Sequence, residues 1–583
     1  MAVFKAMQKK QKISSRRGGT KAQRYRKAKP SKGQDYHILF FGKTLRVLCP
    51  ARGTSLRAAL SFWFQIFRFE LIGGLVFIFV ILAFINANAQ SVSVPLDHPV
   101  YDFLERMEAY HAVSPFALRV QPISRAEVLQ MLQSADSSLA GFLTPAEKSR
   151  LQRYLSEFTD PAIGKPAPRE AEPHLLRLEE NNSQIFIDAL ATQEFEFRRG
   201  GLIGEKNISR TLAGLRLRGT LSGRLGFFLE GTNTLERGDD EAQEDFRPGA
   251  GAPVTLSGSS AFKGQAMAAF FFRVPWACIE IGRDQLTWGS GPATQLGLSR
   301  RNLPVDLLRL QIIWRRFQFT YIHANLRADR RRYFAGHRLD VALGTRGRVG
   351  VYEGVIYGGR DVEFQYLNPL MPYHIAEHLL GDRDNNVLGI DFSFYPHRGK
   401  KIYGEIFVDD LSLEFPIGTY WGNKLAYHFG AFIARPLGWR DADLRMEYTR
   451  VDPFVYTHDD SVNVYAHNGE SLGSRLGPNA DRFSVMLAYQ PHRDVRFNAT
   501  YLHDRQGKGD LLTPHQEVDG NSKGFLKGAL ETANQWRAGM SVQIHRDVYV
   551  DLDFGWRRVK NVERKIGRDE NLRQALFALR ANY

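Results

Sequence analysis

Residues 547–557 read DVYVDLDFGWR, and apolar and polar side chains alternate along the whole stretch. Successive side chains of a β-strand point to opposite faces, so the pattern predicts a strand with one apolar and one polar face. The apolar face holds Val548, Val550, Leu552, Phe554 and Trp556, and the polar face holds Asp547, Tyr549, Asp551, Asp553 and Arg557. The same period of two recurs around residues 194–198, 362–366, 495–501 and 571–583. Such strands are typical of a barrel wall, with lipid outside and a watery lumen inside.

A soluble all-β protein could show the same alternation, with the apolar face turned towards a core. Two features argue against it. Aromatic residues cluster at the strand ends, as the interface girdles of a membrane barrel require, and roughly 400 residues of strand are too many for one sandwich. No apolar run of about 18 residues follows residue 90, which excludes helical spans. Residues 181–583 therefore predict an all-β fold, a large antiparallel transmembrane β-barrel of about 16 to 20 strands.

An export signal is predicted near the start of the chain. Leu71 to Ile85 is an uncharged run, preceded by Arg68 and followed by the small residues Ala87-Asn88-Ala89. This is the form of a signal-peptidase site, and cleavage after Ala89 would leave Gln90 as the new terminus. A membrane anchor is the alternative, but the run is shorter than the about 20 residues that span a bilayer. Residues 1–89 are therefore interpreted as a basic leader and signal peptide.

The charge and cysteine content exclude several classes of partner. Of the 78 Lys and Arg, 17 lie in residues 1–70 beside only two acids, so the chain after the leader is nearly neutral. A basic segment before an export signal holds that segment on the cytoplasmic side, and nucleic-acid binding is not expected. Cys49 lies in the leader and leaves Cys278 alone, so no disulfide within the exported chain is expected. We also expect no metal and no cofactor.

Residues 90–160 predict a small N-terminal α-helical bundle. Val100, Phe103, Leu104 and Met107 follow helical spacing, and Ser124 to Glu127 and Thr144 to Glu147 each form a capping box. Three short helices bury little surface by themselves, so we expect them to pack against the barrel as a plug. Four prolines after residue 160 indicate a linker over 161–180.

A series of motifs between Gly282 and Asp481 resembles the Wzi family of capsule-assembly outer-membrane proteins. The motifs are Gly282-Arg283, Trp288-Gly289-Ser290-Gly291-Pro292, His337-Arg338-Leu339, Tyr352 to Arg360, Tyr366 to Pro369, Tyr403-Gly404-Glu405 with Asp409-Asp410, Glu447 to Arg450 and Leu476 to Asp481, with Pro122 to Arg125 in the helical segment. The resemblance implies a barrel of about 18 strands in the bacterial outer membrane, with a helical bundle on the periplasmic side. It also implies a lectin that holds capsular polysaccharide at the cell surface.

Two groups of residues are candidates for contact with a polysaccharide. An arginine cluster can pair uronate or phosphate groups while an aromatic ring stacks on a sugar. The candidates are Arg327, Arg330, Arg331, Arg332 and Tyr333, with Tyr420 and Trp421 as a second platform. The alternative is that the arginines line the lumen or meet lipopolysaccharide phosphates, and that the aromatics belong to the interface girdle.

Three other patterns are weaker candidates for a catalytic or metal site. His374 to His378 has the His-x-x-Glu-His spacing of inverted zinc peptidases, but it lies in a predicted loop without a clear third ligand. Gly289-Ser290-Gly291 lacks the spacing of a nucleophile turn and is interpreted as a tight turn at the barrel rim. Glu405 and Asp409-Asp410 are interpreted as lumen-facing polar residues rather than as a glycosidase pair.

The sequence thus favours a non-enzymatic barrel that binds capsular or extracellular polysaccharide and helps to assemble or anchor it. A diffusion channel is the second hypothesis, and a barrel hydrolase built on His374 to His378 is the third. The expected partners besides polysaccharide are outer-membrane lipid, lipopolysaccharide and the barrel-insertion machinery. That machinery would read the closing strand at Tyr583 in the periplasm.

Overall fold

The computed structural model describes residues 36–40, 43–47, 92–114, 118–160, 173–238, 252–257, 260–274, 276–289, 291–327 and 331–582. The chain forms two compact units, residues 1–84 and 85–583. In the first unit, strands β1 (Tyr36–Phe40) and β2 (Lys43–Val47) pair antiparallel. The predicted apolar run, the cleavage site at Ala89 and Gln90, most of the predicted linker, Arg330 and Tyr583 lie outside the described residues. No helix within them is long and apolar enough to cross a membrane.

The second unit begins with three helices, α1 (Val100–Ala109), α2 (Arg125–Ser138) and α3 (Pro145–Phe158), with strand β3 (Val120–Gln121) before α2. Both predicted capping boxes are present. The Ser124 and Thr144 side chains accept hydrogen bonds from the backbone N–H groups of Glu127 and Glu147. The helices share a core of apolar side chains that also includes Tyr403, Phe432 and Ala434 of the barrel wall.

A closed antiparallel barrel of 18 strands follows, and the predicted fold class is confirmed. Its strands are β5 (Ser183–Gly200), β6 (Gly204–Leu221), β7 (Leu225–Gly238), β9 (Ser260–Val274), β10 (Ala277–Asp284), β12 (Val305–Trp314), β13 (Phe317–Arg327), β14 (Arg332–Ala342), β15 (Gly347–Tyr357), β16 (Asn385–Phe394), β17 (Lys400–Asp410), β18 (Lys424–Ala434), β19 (Ala442–Val451), β22 (Ala480–His492), β23 (Val495–Gln506), β24 (Glu531–His545), β25 (Val548–Lys560) and β26 (Glu570–Asn582). β26 pairs with β5 from Arg573↔Arg199 to Asn582↔Leu190 and closes the cylinder.

Shorter elements lie before and between the barrel strands. They are β4 (Leu176–Glu180), β8 (Ala252–Ser257), β11 (Thr287–Trp288), α4 (Phe364–Leu367), α5 (Tyr373–Leu379), β20 (Ala466–His467) and β21 (Glu470–Ser471), with 3-10 turns at Pro436–Gly438, Ser461–Asn463, Glu517–Asp519 and Val562–Arg564. The connections are short at one end of the barrel, which we call the turn end. At the other, the loop end, they include residues 285–304, 358–384, 411–423, 452–479 and 507–530.

The outer wall carries the apolar faces of the alternating strands. Phe197, Phe270 and Phe554 are 53%, 55% and 62% exposed, because their side chains point outwards from the wall, where lipid would surround the barrel. Trp314 and Trp439 lie in an exposed aromatic band at the turn end. Trp536, Trp556 and other rings lie nearer the loop end. Two aromatic bands around an apolar belt are the expected pattern of a membrane-spanning barrel.

Two predicted features differ from the structure. The alternation at residues 362–366 predicts a strand, but the segment is a loop that contains α4, and the Tyr366 side chain is buried there. Five residues are too few for periodicity to separate a strand from a short helix. The second half of the predicted linker contains strand β4. Asn181 and Asn182 adopt positive φ angles and form the turn of a hairpin between β4 and β5.

Candidate functional site

Residues 285–304, which we call the inward loop, enter the lumen from the loop end. Its strand β11 pairs with β3, so a loop of the barrel and the helical segment meet inside the cylinder. Gly289 N donates to Arg119 O at 3.2 Å, and Trp288 is 1% exposed. A Cβ at Gly291 would lie 2.3 Å from His428 Nε2, so this close approach requires glycine. The predicted turn at the barrel rim is therefore wrong in position, since Gly289 and Gly291 lie inside the lumen.

Glu405 of β17 holds the inward loop in place. Its buried carboxylate accepts hydrogen bonds from Leu296 N at 3.0 Å and Gly297 N at 3.1 Å, and from Tyr352 Oη at 2.6 Å. Tyr456 Oη donates to Leu296 O at 2.9 Å. As predicted, Glu405 is a polar residue that faces the lumen, and its hydrogen bonds give it a structural role.

The helical segment closes the turn end through a buried network centred on Glu147 of α3. The Glu147 carboxylate accepts from Arg106 Nε at 2.7 Å, from Tyr110 Oη at 2.9 Å and from Arg435 Nη2 at 2.6 Å. Burial alone would raise the pKa of Glu147, but Arg106, the Thr144 N–H and Arg435 together lower it to about 2. Because Arg435 belongs to a barrel turn, this network joins the bundle to the wall.

A polar cavity of 720 Å³ remains between the bundle and the wall formed by β5–β7, β9, β10, β19 and β22–β26. Its lining contains arginines and carboxylates in similar numbers, including Arg153 of α3 beside Asp547 at 3.3 Å. Arg300 and Arg301 of the inward loop line the same cavity. The lumen is therefore narrowed, but it retains a water-accessible space along one side.

Five arginines converge around the inward loop. Burial, and after it the positive charges of Arg482, Arg475, Arg537 and Arg300, lowers the pKa of Arg301 to about 10. Arg482 pairs with Asp504 at 2.7 Å, but within the described part of the chain no carboxylate lies within 4.0 Å of Arg301. Converging cations around a group without its own counter-ion favour an anionic ligand.

This cluster is not apparent from the sequence. Its members come from the inward loop, from the loop before β22, from β22 and from β24, which are far apart in the chain. Only Arg300-Arg301 is visible as a pair. The alternation along β22 and β24 places Arg482 and Arg537 on the lumen face, but nothing in the sequence shows that a loop enters to meet them.

The arginines predicted to bind sugar have different surroundings. Arg331 is exposed and pairs with Asp361 at 3.1 Å, whereas Arg332 is buried and donates to the carbonyl of Val464. The side chains of Arg327 and Arg330 lie outside the described residues. Tyr333 is half-buried, with its ring centroid 5.8 Å from that of His323 and 5.1 Å from that of Tyr357. Among the predicted arginines whose side chains are described, Arg331 is the one at the surface.

The second predicted platform is an aromatic stack between loops. The Tyr420 ring stacks on Phe415 at a centroid distance of 4.1 Å, and Trp421 lies parallel to His515 at 3.6 Å. Both aromatic side chains are half-buried at the loop end. Among the described rings, no contact joins them to Tyr333, so the structure does not bring the two predicted groups together.

His374 to His378 form most of the short helix α5. The two histidine rings are 4.5 Å apart, and His374 N donates to Glu353 Oε1 at 2.6 Å. No group of three or more potential metal ligands occurs among the described residues. Glu377 is buried away from these rings, and burial together with Asp382 and Asp384 raises its pKa to about 8.

The raised pKa makes α5 sensitive to pH. The folded chain holds a proton on Glu377 that the unfolded chain releases above about pH 4.5, so this stabilisation is complete below that pH and lost as the pH rises through about 8. We expect amide hydrogen exchange in residues 373–384, corrected for the intrinsic rate, to accelerate between about pH 5 and pH 8 and to level off above that. Glu377→Gln should remove the effect and exposed Asp459→Asn should retain it. An unchanged profile in Glu377→Gln would contradict the assignment.

Comparison with known proteins finds one matching family and several similar solved structures. The family described as capsule assembly protein Wzi matches residues 274–573. Among solved structures, the chain is similar to Wzi of Escherichia coli, described as an outer-membrane protein involved in group 1 capsule assembly and a carbohydrate-binding β-barrel. The TM-score is 0.55 at 14% identity, covering 84% of this chain and 99% of that one.

Pseudomonas aeruginosa OpdL and OprD match with lower TM-scores of 0.41 and 0.40 at 10% and 12% identity, covering 68% and 69% of this chain and 98% and 94% of theirs. No curated protein matches by sequence.

Proposed function

This chain belongs to the Wzi family of capsule assembly proteins and lies in the bacterial outer membrane, and we propose that it binds surface polysaccharide without catalysing a reaction on it. Bound glycan would be held at the loop end, where it helps to assemble or anchor the surface layer. The carbohydrate binding described for the Escherichia coli relative supports this proposal. The observation that carries it is the double obstruction of the lumen, by the inward loop and by the helices.

An open diffusion channel fits this lumen less well. A steady channel needs a continuous water path, whereas β11 and β3 pair inside the cylinder and Glu405 fixes the loop that carries β11. The 720 Å³ cavity is the feature that favours the channel hypothesis, since it could form part of such a path. A hydrolase has less support, because the described residues contain no cluster of metal ligands.

The orientation follows the usual rule for bacterial barrels, with short turns in the periplasm and long loops outside. The helices of residues 90–160 would then close the periplasmic end. Residues 1–89 would be removed on export, and the segment 161–180 would lead into the barrel. The insertion machinery would act on the closing strand.

The chemistry of the ligand is proposed from Arg301 and its neighbours. An acidic polysaccharide offers carboxylates that guanidinium groups pair bidentately, and desolvation inside the barrel strengthens each pair. Arg331, Tyr333, Tyr420 and Trp421 would supply outer contacts if the glycan also crosses the loop surface. The lumen site and the loop surface can be tested separately.

We expect Arg301→Ala to weaken binding of a uronate-containing polysaccharide about tenfold, because one charge-assisted pair is worth about 1.5–3 kcal/mol before competition with salt. The full chain in detergent would be titrated with the acidic polysaccharide and with neutral dextran, with the folded barrel confirmed by heat-modifiable electrophoretic mobility. Arg331→Ala, which changes an exposed arginine of the loop surface, is the matched variant for comparison. Loss of affinity in Arg331→Ala alone would place the site at the loop surface, and equal binding of dextran would contradict the proposal.

A further inference from the structure

The outer wall carries a compact charged and aromatic patch where the barrel closes. The strand register places Trp536, Trp556, Arg573, Arg199 and Glu205 side by side across five neighbouring strands, β24, β25, β26, β5 and β6. Cross-strand partners share a face, and this face is the outer one, because Trp536 and Trp556 are 40% and 42% exposed. The patch is therefore built into the wall rather than into a loop.

An apolar row lies directly beneath it, on the side of the bilayer centre. Phe554 pairs with Ala575, and Ala575 pairs with Phe197, two residues along each strand from the charged row. Trp536 and Trp556 stack with their ring centroids 4.8 Å apart. Tryptophan belongs at the interface between the hydrocarbon and the polar head groups, so the two arginines lie at the same depth.

Arg199 and Arg573 face each other across two strands, and of the carboxylates that the structure describes a single one, Glu205, lies beside them. Like charges directly opposite each other in a sheet are destabilising. Arg199 Nε lies 3.1 Å from Glu205 Oε1, and both side chains are highly exposed. Arg573 is exposed, and within the described residues no carboxylate lies within 4.0 Å of it. Glu205 thus pairs with Arg199, while Arg573 directly opposite has no described carboxylate beside it.

We propose that this patch binds the phosphorylated, acylated disaccharide of lipopolysaccharide. Arg199 and Arg573 would pair with a phosphate, and the acyl chains would lie over Phe197 and Phe554. The tryptophans would flank the head group. Charge complementarity supports this occupant, because the outer leaflet of the outer membrane consists of lipopolysaccharide and the loop end faces that leaflet in the orientation proposed above. The inference depends on that orientation and not on glycan binding in the lumen.

The test uses the full chain in detergent, titrated with bisphosphorylated lipid A and followed by native mass spectrometry. We expect the double variant Arg199→Ala/Arg573→Ala to bind about tenfold more weakly, and lipid A stripped of its phosphates to bind the original chain as weakly. Inorganic phosphate alone should not displace lipid A, because it lacks the acyl contacts. Displacement by phosphate would overturn the proposed occupant.

Arg283→Ala is the matched control. Arg283 lies on the outer face near the loop end of β10, and it pairs with Asp306 at 3.2 Å without tryptophans beside it. Equal affinities of the double variant and the Arg283→Ala control would overturn the proposal. If the double variant does not fold, Arg573→Gln should still show a partial loss, and no loss would be equally decisive. Binding of acidic polysaccharide should be unchanged in all these variants, which separates this result from the test of Arg301.

Discussion

Glu405→Ala is expected to release the inward loop from the lumen. The substitution leaves the buried N–H groups of Leu296 and Gly297 without an acceptor, and it also removes the partner of Tyr352 Oη. Each orphaned buried donor costs about 1–3 kcal/mol, so the two backbone N–H groups alone should cost the inserted conformation roughly 2–6 kcal/mol relative to the released one. The barrel ladders do not involve this carboxylate, and the wall should stay closed.

Two measurements follow the released loop. Protease cleavage within residues 285–304 should become fast in Glu405→Ala, and channel openings in planar bilayers should become larger or more frequent than in the original chain. Asp410→Ala is the matched control at the end of the same strand, because its carboxylate is 59% exposed and lies 3.8 Å from Lys424. A loop that stays resistant to protease while the barrel remains folded would show that Glu405 does not hold it.

The same loop shows where sequence reasoning ends. The barrel follows from local alternation, because each of the strands around Phe197, Phe497 and Phe554 must present one face to lipid. The closing strand and the capping boxes at Ser124 and Thr144 are local patterns as well. The inward loop depends on contacts between residues far apart, such as Leu296 with Glu405, and neither residue signals the other in the sequence.

The candidate site was only partly predictable for the same reason. Arginine runs were visible at Arg331 and Arg332, but the structure gives Arg332 a buried backbone carbonyl as its partner. The convergent cluster around Arg301 has no run to mark it. A strand pattern tells which face an arginine occupies, and the path of the loops decides which arginines share a space.

Glu147→Ala is expected to detach the helical bundle from the turn end of the barrel. The variant leaves the guanidinium of Arg106, which is 1% exposed, with Asp443 as its remaining carboxylate and deprives Arg435 of its link to α3. Breaking a buried ion pair by removing one partner costs about 3–5 kcal/mol, which exceeds the about 1 kcal/mol of the capping box lost with it. Hydrogen exchange throughout α1 and α3 should therefore rise while the barrel strands stay protected.

Acid gives an independent measure of the same contribution. Because the folded-state pKa of Glu147 is lowered to about 2, its stabilisation is fully present above the ordinary value near 4.5 and is lost as the pH falls through about 2. The bundle of the original chain should loosen over this range, and that of Glu147→Ala should be loose already at neutral pH. Asp136→Ala, which removes an exposed carboxylate of α2, should behave as the original chain. Equal acid profiles for the original chain and Glu147→Ala would mean that other contacts, such as Glu105 with Arg445, hold the bundle in the barrel.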